Sequence, residues 1–345
     1  MAPAFPQASA LAAVSARIGA DPLLVQGPGG NTSCKSGDAL WIKASGFRLS
    51  DAAARPIFVG LSLAQVRGLA VTADTEDFST ARLPGSDPAL RPSIETALHA
   101  LMPHPAVIHA HAVCSMTVSV LESGQALTAT ALEGLAWAWI PYCRPGAALA
   151  GAVCELLSKR NVDVLILQNH GVVVGADTPE AAEFLLREVE SRLACSVRTG
   201  PMADPAQLAA RQTDRYEALA PFSALALDFE LFAAVTESAL FPDQVVFLGG
   251  AVPAAVADET LDAAADRISA TSGIFPALIL SQGIGAFGAR ERTSAASAVI
   301  QGLFEVARRL PAGSRTQGLP REEVEALLNW EAEHYRIALA SQEPD

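Results

Sequence analysis

Apolar residues along this chain recur with two periods, and the alternation between them lays out the elements. Helical spacing over 7–19, closed by Gly19 and Pro22, predicts a first helix. Short apolar runs at 39–43, 106–109, 137–140 and 162–167 predict strands. Ser62-Leu63-Ala64-Gln65 has the spacing of a capping box and starts a short helix, and Arg91-Pro92-Ser93 leads into a longer one through about Leu101, which places Glu95 in its first turn. The stretch 146–160 is amphipathic. Thr178-Pro179-Glu180 joins a capping hydroxyl to a proline at the first helical position, so a helix over 179–198 follows and stops at Gly200-Pro201. Residues 201–227 read as a mixed, partly helical connector. Beyond it the pattern alternates strand 244–248, helix 253–270, strand 277–281, helix 293–310 and a charged helix 320–339. The expected organisation is a large domain over 1–200, the connector, and a small α/β domain over 228–345.

The chain also echoes itself. Leu165-Ile166-Leu167-Gln168-Asn169-His170-Gly171 and Leu278-Ile279-Leu280-Ser281-Gln282-Gly283-Ile284 each read as a strand running into a tight turn, with a returning strand and then a helix. The second copy contains a formal GxGxxG, Gly283 to Gly288. A dinucleotide site needs an acidic residue at the end of the next strand, and Glu305 lies inside a helix with no strand after it, so these glycines are assigned to a hairpin.

Composition narrows the partners. Half of the 345 residues are hydrophobic and 18% are charged, which excludes disorder and suggests surface buried between subunits, hence a homo-oligomer. The net charge of −13 is spread along the chain with no block of Lys or Arg, which argues against nucleic acid and anionic membranes. Five cysteines without a CxxC pair read as reduced thiols, and the N-terminal stretch has no basic segment followed by an apolar run, so the expected location is the cytoplasm.

The chemistry gathers at His109-Ala110-His111 and Asn169-His170-Gly171. Residues i and i+2 of a strand share a face, so His109 and His111 lean toward one point, and His170, at the end of another strand, can close a facial set. Three neutral nitrogen ligands leave positions open for water or substrate, as a catalytic ion requires. Glu95 is then a candidate general acid/base beside the metal. Gly29-Gly30-Asn31-Thr32-Ser33 forms a candidate anion nest. Its amides, with the Asn31 side chain and the hydroxyls of Ser45 and Ser93, would hold a phosphate or carboxylate, with Lys35 and Lys43 near in sequence. His99 and His104 are assigned to packing or capping, and His334 to solvent. Tyr142, Tyr216 and Tyr335 are read as buried.

In order along the chain, Gly30-Asn31-Thr32-Ser33, Lys43-Ala44-Ser45-Gly46, Ser93-Ile94-Glu95, His109-Ala110-His111 and Asn169-His170-Gly171 resemble the motifs of the class II aldolase/adducin family, over about residues 7–200. That family includes fuculose- and rhamnulose-phosphate aldolases and ribulose-phosphate 4-epimerase. The resemblance implies an α/β fold, an αβα sandwich around a mainly antiparallel central sheet, with Zn²⁺ or another divalent ion on His109, His111 and His170. It also implies Glu95 as acid/base, Gly30, Asn31, Ser45, Gly46 and Ser93 as anion-binding residues, and a tetramer or dimer. The C-terminal part resembles the segment that follows the aldolase domain in fused rhamnulose-phosphate aldolase/alcohol dehydrogenases. Departures from the pattern are Ile94, where the fuculose-phosphate enzymes carry a second serine, the residues Lys43 and Ala44, and a shorter interval from Glu95 to His109.

The expected activity is C–C bond cleavage or formation in a small sugar phosphate or sugar acid through a metal-stabilised enediolate. The alternatives are a sugar-acid phosphate decarboxylase, a pentulose-phosphate 4-epimerase, and a non-catalytic adducin-like scaffold. Presence of the histidine set argues against the scaffold, and Glu95 against the epimerases, which tend to carry Asp there.

Overall fold

The computed structural model describes residues 5, 7–72 and 76–340. The chain forms two compact units, Met1–Ser119 with Gln125–Ala194, and Val120–Gly124 with Cys195–Asp345.

The first unit is built on seven strands: β1 (Asn31–Ser36), β2 (Ala39–Lys43), β3 (Phe58–Ser62), β4 (Ala106–Ala110), β5 (Trp137–Ile140), β6 (Val164–Leu167) and β7 (Gly171–Ala176). Their order in the sheet is β3-β2-β1-β4-β7-β6-β5. Every neighbouring pair is antiparallel except β5 and β6, which are parallel. β4 and β6 are buried at every residue, the mark of a strand covered on both faces. Alternation along β4 sorts its side chains. Val107 packs with Leu98 of the helix Thr96–Leu101, Met102 just after it, Leu149 and Val153 of the helix Ala147–Leu157, and Leu165 and Val173 of the sheet. His109 continues the Val107 face. Cross-strand register places Asn31 beside His109 and Ser33 beside Val107, so Asn31, Ser33 and Lys35 of β1 line the same face. The helix Pro179–Arg192 starts as its sequence dictates, with Thr178 Oγ1 accepting from the Ala181 amide 3.2 Å away, but ends at Arg192 rather than 198.

The second unit holds a three-stranded antiparallel sheet of β8 (Tyr216–Ala218), β9 (Leu278–Ser281) and β10 (Gly285–Ala289), ordered β8-β10-β9. The helix Leu261–Ser272 packs on it through Leu261, Ala264 and Ala265 against Tyr216, Ile279 and Phe287. The glycine-rich run is a hairpin, with Gly283 at φ 77° in its turn.

Several expectations here are corrected. Residues 244–248 lie in a helix, Pro242–Leu248, not a strand: Pro242 sits at the first position, Asp243 in the first turn, and Gly249 at φ 86° closes the end. The helix expected from Pro253 begins at Leu261, capped by Thr260, because Pro253 and Ala255 instead pair with Leu280 of β9. The charged C-terminal helix is two, Arg321–Leu328 and Glu331–Ala340. Residues 201–227, read as a connector, contain β8, which joins the second sheet. No helix among the described residues is long and apolar enough to cross a membrane.

Candidate metal centre

The site forms where two turns press against the end of β4. Gly30 and Gly171 flank that end, at φ 64° and 143°. A β-carbon on Gly30 would stand 2.8 Å from the His109 carbonyl oxygen, and one on Gly171 would stand 2.4 Å from the Ala110 carbonyl oxygen. Both positions need the left-handed half of backbone space and the missing side chain together. Between β6 and β7 the chain reverses through Asn169, at φ 56°, a conformation that Asn tolerates better than most residues. The Asn169 amide donates to Ser119 O at 3.2 Å, and the His170 amide donates to Leu167 O at 3.1 Å. The turn thus presents His170 toward His109 and His111.

The three imidazoles are buried, with ring centroids 4.8 to 5.1 Å apart. One ring nitrogen of each lies within 4.8 Å of the others. His109 Nδ1 faces Val172 O at 3.1 Å, so it carries the proton and its Nε2 lone pair points into the cluster. His111 Nε2 and His109 Nε2 are 3.2 Å apart. A tetrahedral ion with bonds of about 2.0–2.1 Å sets neighbouring donors about 3.3 Å apart, so this pair fits the edge of such a coordination shell.

Glu95 completes the cluster. It occupies the N-cap position of the helix Thr96–Leu101, one residue outside the turn expected for it. Ser93 Oγ accepts from the Glu95 amide at 3.2 Å, and the Thr96 hydroxyl donates to Ser93 O at 2.6 Å, which fixes the backbone there. Glu95 Oε2 accepts from Asn31 Nδ2 at 2.8 Å and lies 3.4 Å from His109 Nε2. Oε1 lies 3.7 Å from His170 Nε2, is buried, and accepts no hydrogen bond from the described residues. Burial works to raise the Glu95 carboxyl, but the charge that His109 and His170 can carry, the Asn31 amide and His111 outweigh it and hold it at about 2. The group is a carboxylate at neutral pH.

The other expected residues gather around this centre unevenly. Asn31 Nδ2 also reaches Ser93 Oγ at 3.3 Å, so Asn31, Ser93 and Glu95 form one buried group. Ser45 joins through the backbone, its amide donating to Arg91 O at 2.8 Å beside the Ala44–Pro92 bridge, and Gly46 follows at φ 82°. Lys43 is buried and donates from Nζ to Pro28 O at 3.0 Å, just ahead of Gly29-Gly30. Lys35 is elsewhere: its Nζ donates to Met102 O and, at 2.7 Å, to His104 O, just past the helix Thr96–Leu101, and burial lowers the ammonium to about 7. His104 bonds Asp163 at 2.8 Å, His334 bonds Leu328 O, and Tyr216 is buried with its hydroxyl on Pro276 O, whereas Tyr142 and Tyr335, expected to be buried, are only half-buried. The residue that sequence reasoning undervalued is His99, fully buried between Asn31 and Ser33. Its signal was available: His99 is four residues after Glu95, on the same helix face.

Comparison with known proteins bears on residues 9–197. Residues 9–197, more than half of the chain, match the family described as Class II Aldolase and Adducin N-terminal domain. A curated relative, the uncharacterized oxidoreductase YuxG of Bacillus subtilis (strain 168), is 30% identical over 179 residues, 47% of this chain and 25% of that protein. The chain therefore spans about a quarter of the length of the curated relative it matches. Among solved structures, the N-terminal class II aldolase domain of a conserved protein from Thermoplasma acidophilum is similar at 28% identity and TM-score 0.47, over 56% of this chain and 94% of that one. A sugar-phosphate aldolase from Thermotoga maritima is similar at 16% identity and TM-score 0.43, over 54% and 91%. With its ordered motifs brought together on one mixed α/β scaffold, this chain belongs to the class II aldolase and adducin family.

Proposed function

We propose that the protein is a metal-dependent aldolase, an aldehyde-lyase that cleaves or forms a C–C bond in a small, phosphorylated hydroxy-carbonyl sugar. The observation that carries this reading is Glu95 Oε1, a buried carboxylate oxygen with no hydrogen bond from the described residues, set beside three converging imidazoles. Such an oxygen, close to the ligand cluster, suits proton transfer at a carbon next to a carbonyl. His109, His111 and His170 would hold the ion, Zn²⁺ by the all-nitrogen donor set. When bound, it supplies Lewis acidity toward a substrate carbonyl oxygen.

The chain's own residues do the rest. In the cleavage direction, the proton of the hydroxyl that becomes the aldehyde passes to the Glu95 carboxylate as the C–C bond breaks and leaves an enediolate, and Glu95 Oε1 then gives that proton to the enediolate carbon. In the synthetic direction the same oxygen takes that proton away. The Asn31 amide holds Oε2 and keeps the carboxylate aimed. Gly30, Asn31, Ser45, Gly46 and Ser93 would bind the substrate's anionic end, with the Lys43 ammonium beside them against Pro28 O.

The test is exchange of the substrate α-proton with solvent, together with release of dihydroxyacetone phosphate or glycolaldehyde from a panel of ketose phosphates. Glu95→Gln should keep the bound metal and lose exchange by about 10²- to 10⁴-fold, the usual worth of a positioned acid/base. Exchange at the wild-type rate in that variant would end the role given to Glu95.

A further inference from the structure

One buried chain of hydrogen bonds runs behind Glu95 and ends in no solvent. Ser33 Oγ lies 2.7 Å from His99 Nδ1, His99 Nε2 contacts Asn31 Oδ1, and Asn31 Nδ2 lies 2.8 Å from Glu95 Oε2. Ser33, Asn31 and Glu95 are each less than 7% exposed, and His99 is completely enclosed. Burial is the main force that lowers His99, to about 3, so the ring is neutral, with one N–H and one lone pair.

The polarity of the chain follows from its last member. A carboxylate only accepts, so the atom of Asn31 that faces Glu95 must be the NH₂ group and the atom that faces His99 must be the carbonyl oxygen. His99 therefore donates from Nε2, and its Nδ1 accepts from the Ser33 hydroxyl. The opposite tautomer would turn the Asn31 amide around and set its oxygen against Oε2 of Glu95, two acceptors with no proton between them.

We propose that His99, as its Nε2–H tautomer, is a positioning residue. It locks the Asn31 amide, Asn31 pins Glu95 through Oε2, and Oε1 is thereby reserved for the substrate proton. The proposal rests on the reading of Glu95 as the acid/base. His99 touches no reacting atom. Its place one helical turn beyond Glu95 couples the two, since the same short helix carries both, and the His99 amide donates to Glu95 O at 3.2 Å.

The experiment joins histidine ¹⁵N NMR of the metal-loaded protein with steady-state kinetics of His99→Leu and His99→Gln. In the spectrum His99 should show the Nε2–H tautomer. Leu cannot donate to Asn31, so kcat should fall about 10²-fold, within the range for losing a well-placed acid/base, while KM and metal content stay near wild type. Gln carries a terminal NH₂ that can reach Asn31 Oδ1, and it should restore most of kcat. An Nδ1–H tautomer overturns the proposal, as does a metal-loaded Leu variant with wild-type kcat, or a Gln variant as slow as Leu. If Leu fails to fold, Gln and the spectrum still decide. Absence of any turnover or proton exchange in wild type would instead remove the aldolase reading, while the tautomer would still report on the hydrogen-bond chain.

Discussion

Single residues in this site act by what they leave out as much as by what they contribute. Gly171 combines φ 143° with a position where a β-carbon would meet the Ala110 carbonyl oxygen at 2.4 Å, and the atom in the way is backbone, which cannot swing aside. Gly171→Ala should destabilise the protein by roughly 2 kcal/mol or more and weaken metal binding, since relief of the clash must move either His170 or the His109-Ala110-His111 segment. Gly37 is the control. It shares a positive φ, 56°, but a β-carbon there meets nothing within 4 Å, so Gly37→Ala should cost about 1 kcal/mol of backbone strain with metal affinity unchanged. Denaturant unfolding and a metal-competition titration on both variants check this. Equal loss of affinity in the two would show that the close approach at Gly171 does not hold the ligand turn.

Helices and strands were legible where one local signal decided the element. β4, β6 and the capped helix after Thr178 follow directly from apolar runs and cap chemistry. The failures are elements in which a neighbour overrides the pattern. Val245-Val246-Phe247 has the composition of a strand, yet Pro242, Asp243 and Gly249 bracket it as a helix. Extended pairing of Pro253 and Ala255 with β9 delays the next helix to Thr260, and that long-range contact leaves no trace in the local period. The clustering of the candidate residues was more legible than the second unit, since the three histidines lie at or beside strand ends that the period-two pattern reveals. His99 was missed because a buried histidine on an apolar helix face has the same sequence signature whether it packs or donates. The Thr96–Leu101 helix and β1 meet through that residue, with a consequence for pH. His99 titrates near 3 in the folded protein and near 6.5 when exposed. Folded His99 therefore binds fewer protons than unfolded His99 between those values. Its contribution to stability is intact above about 6.5 and is lost progressively as the pH falls toward 3. From pH 6.5 to 5 the loss is about 2 kcal/mol at 1.36 kcal/mol per unit. Urea unfolding of wild type and His99→Gln across this range should show the wild-type slope steeper by that amount. Parallel slopes would mean that His99 is accessible to protons in the folded state.

At the scale of the whole molecule, metal chemistry and stability are expected to meet in one unit. All three imidazoles, Glu95 and the Asn31 group belong to the unit Met1–Ser119 with Gln125–Ala194, and their strands, β1, β4 and β7, are adjacent in its sheet. A ligand that binds only the folded state stabilises it by RT ln(1 + [L]/Kd), about 2.7 kcal/mol at a hundredfold excess over Kd. The free energy enters where the donors are, so local opening of β1, β4 and β7 becomes correspondingly rarer. Amide hydrogen exchange in these strands should slow by up to about 100-fold when Zn²⁺ is added at 100 Kd and recover on chelation. The β8–β10 sheet, which contains no part of the histidine cluster, should keep its rates. His109→Ala removes the central ligand, so in that variant added metal should leave β4 and β7 exchanging as they do without it. Slowing that persists in His109→Ala, or that spreads equally to β8–β10, would place the bound ion somewhere other than the histidine cluster.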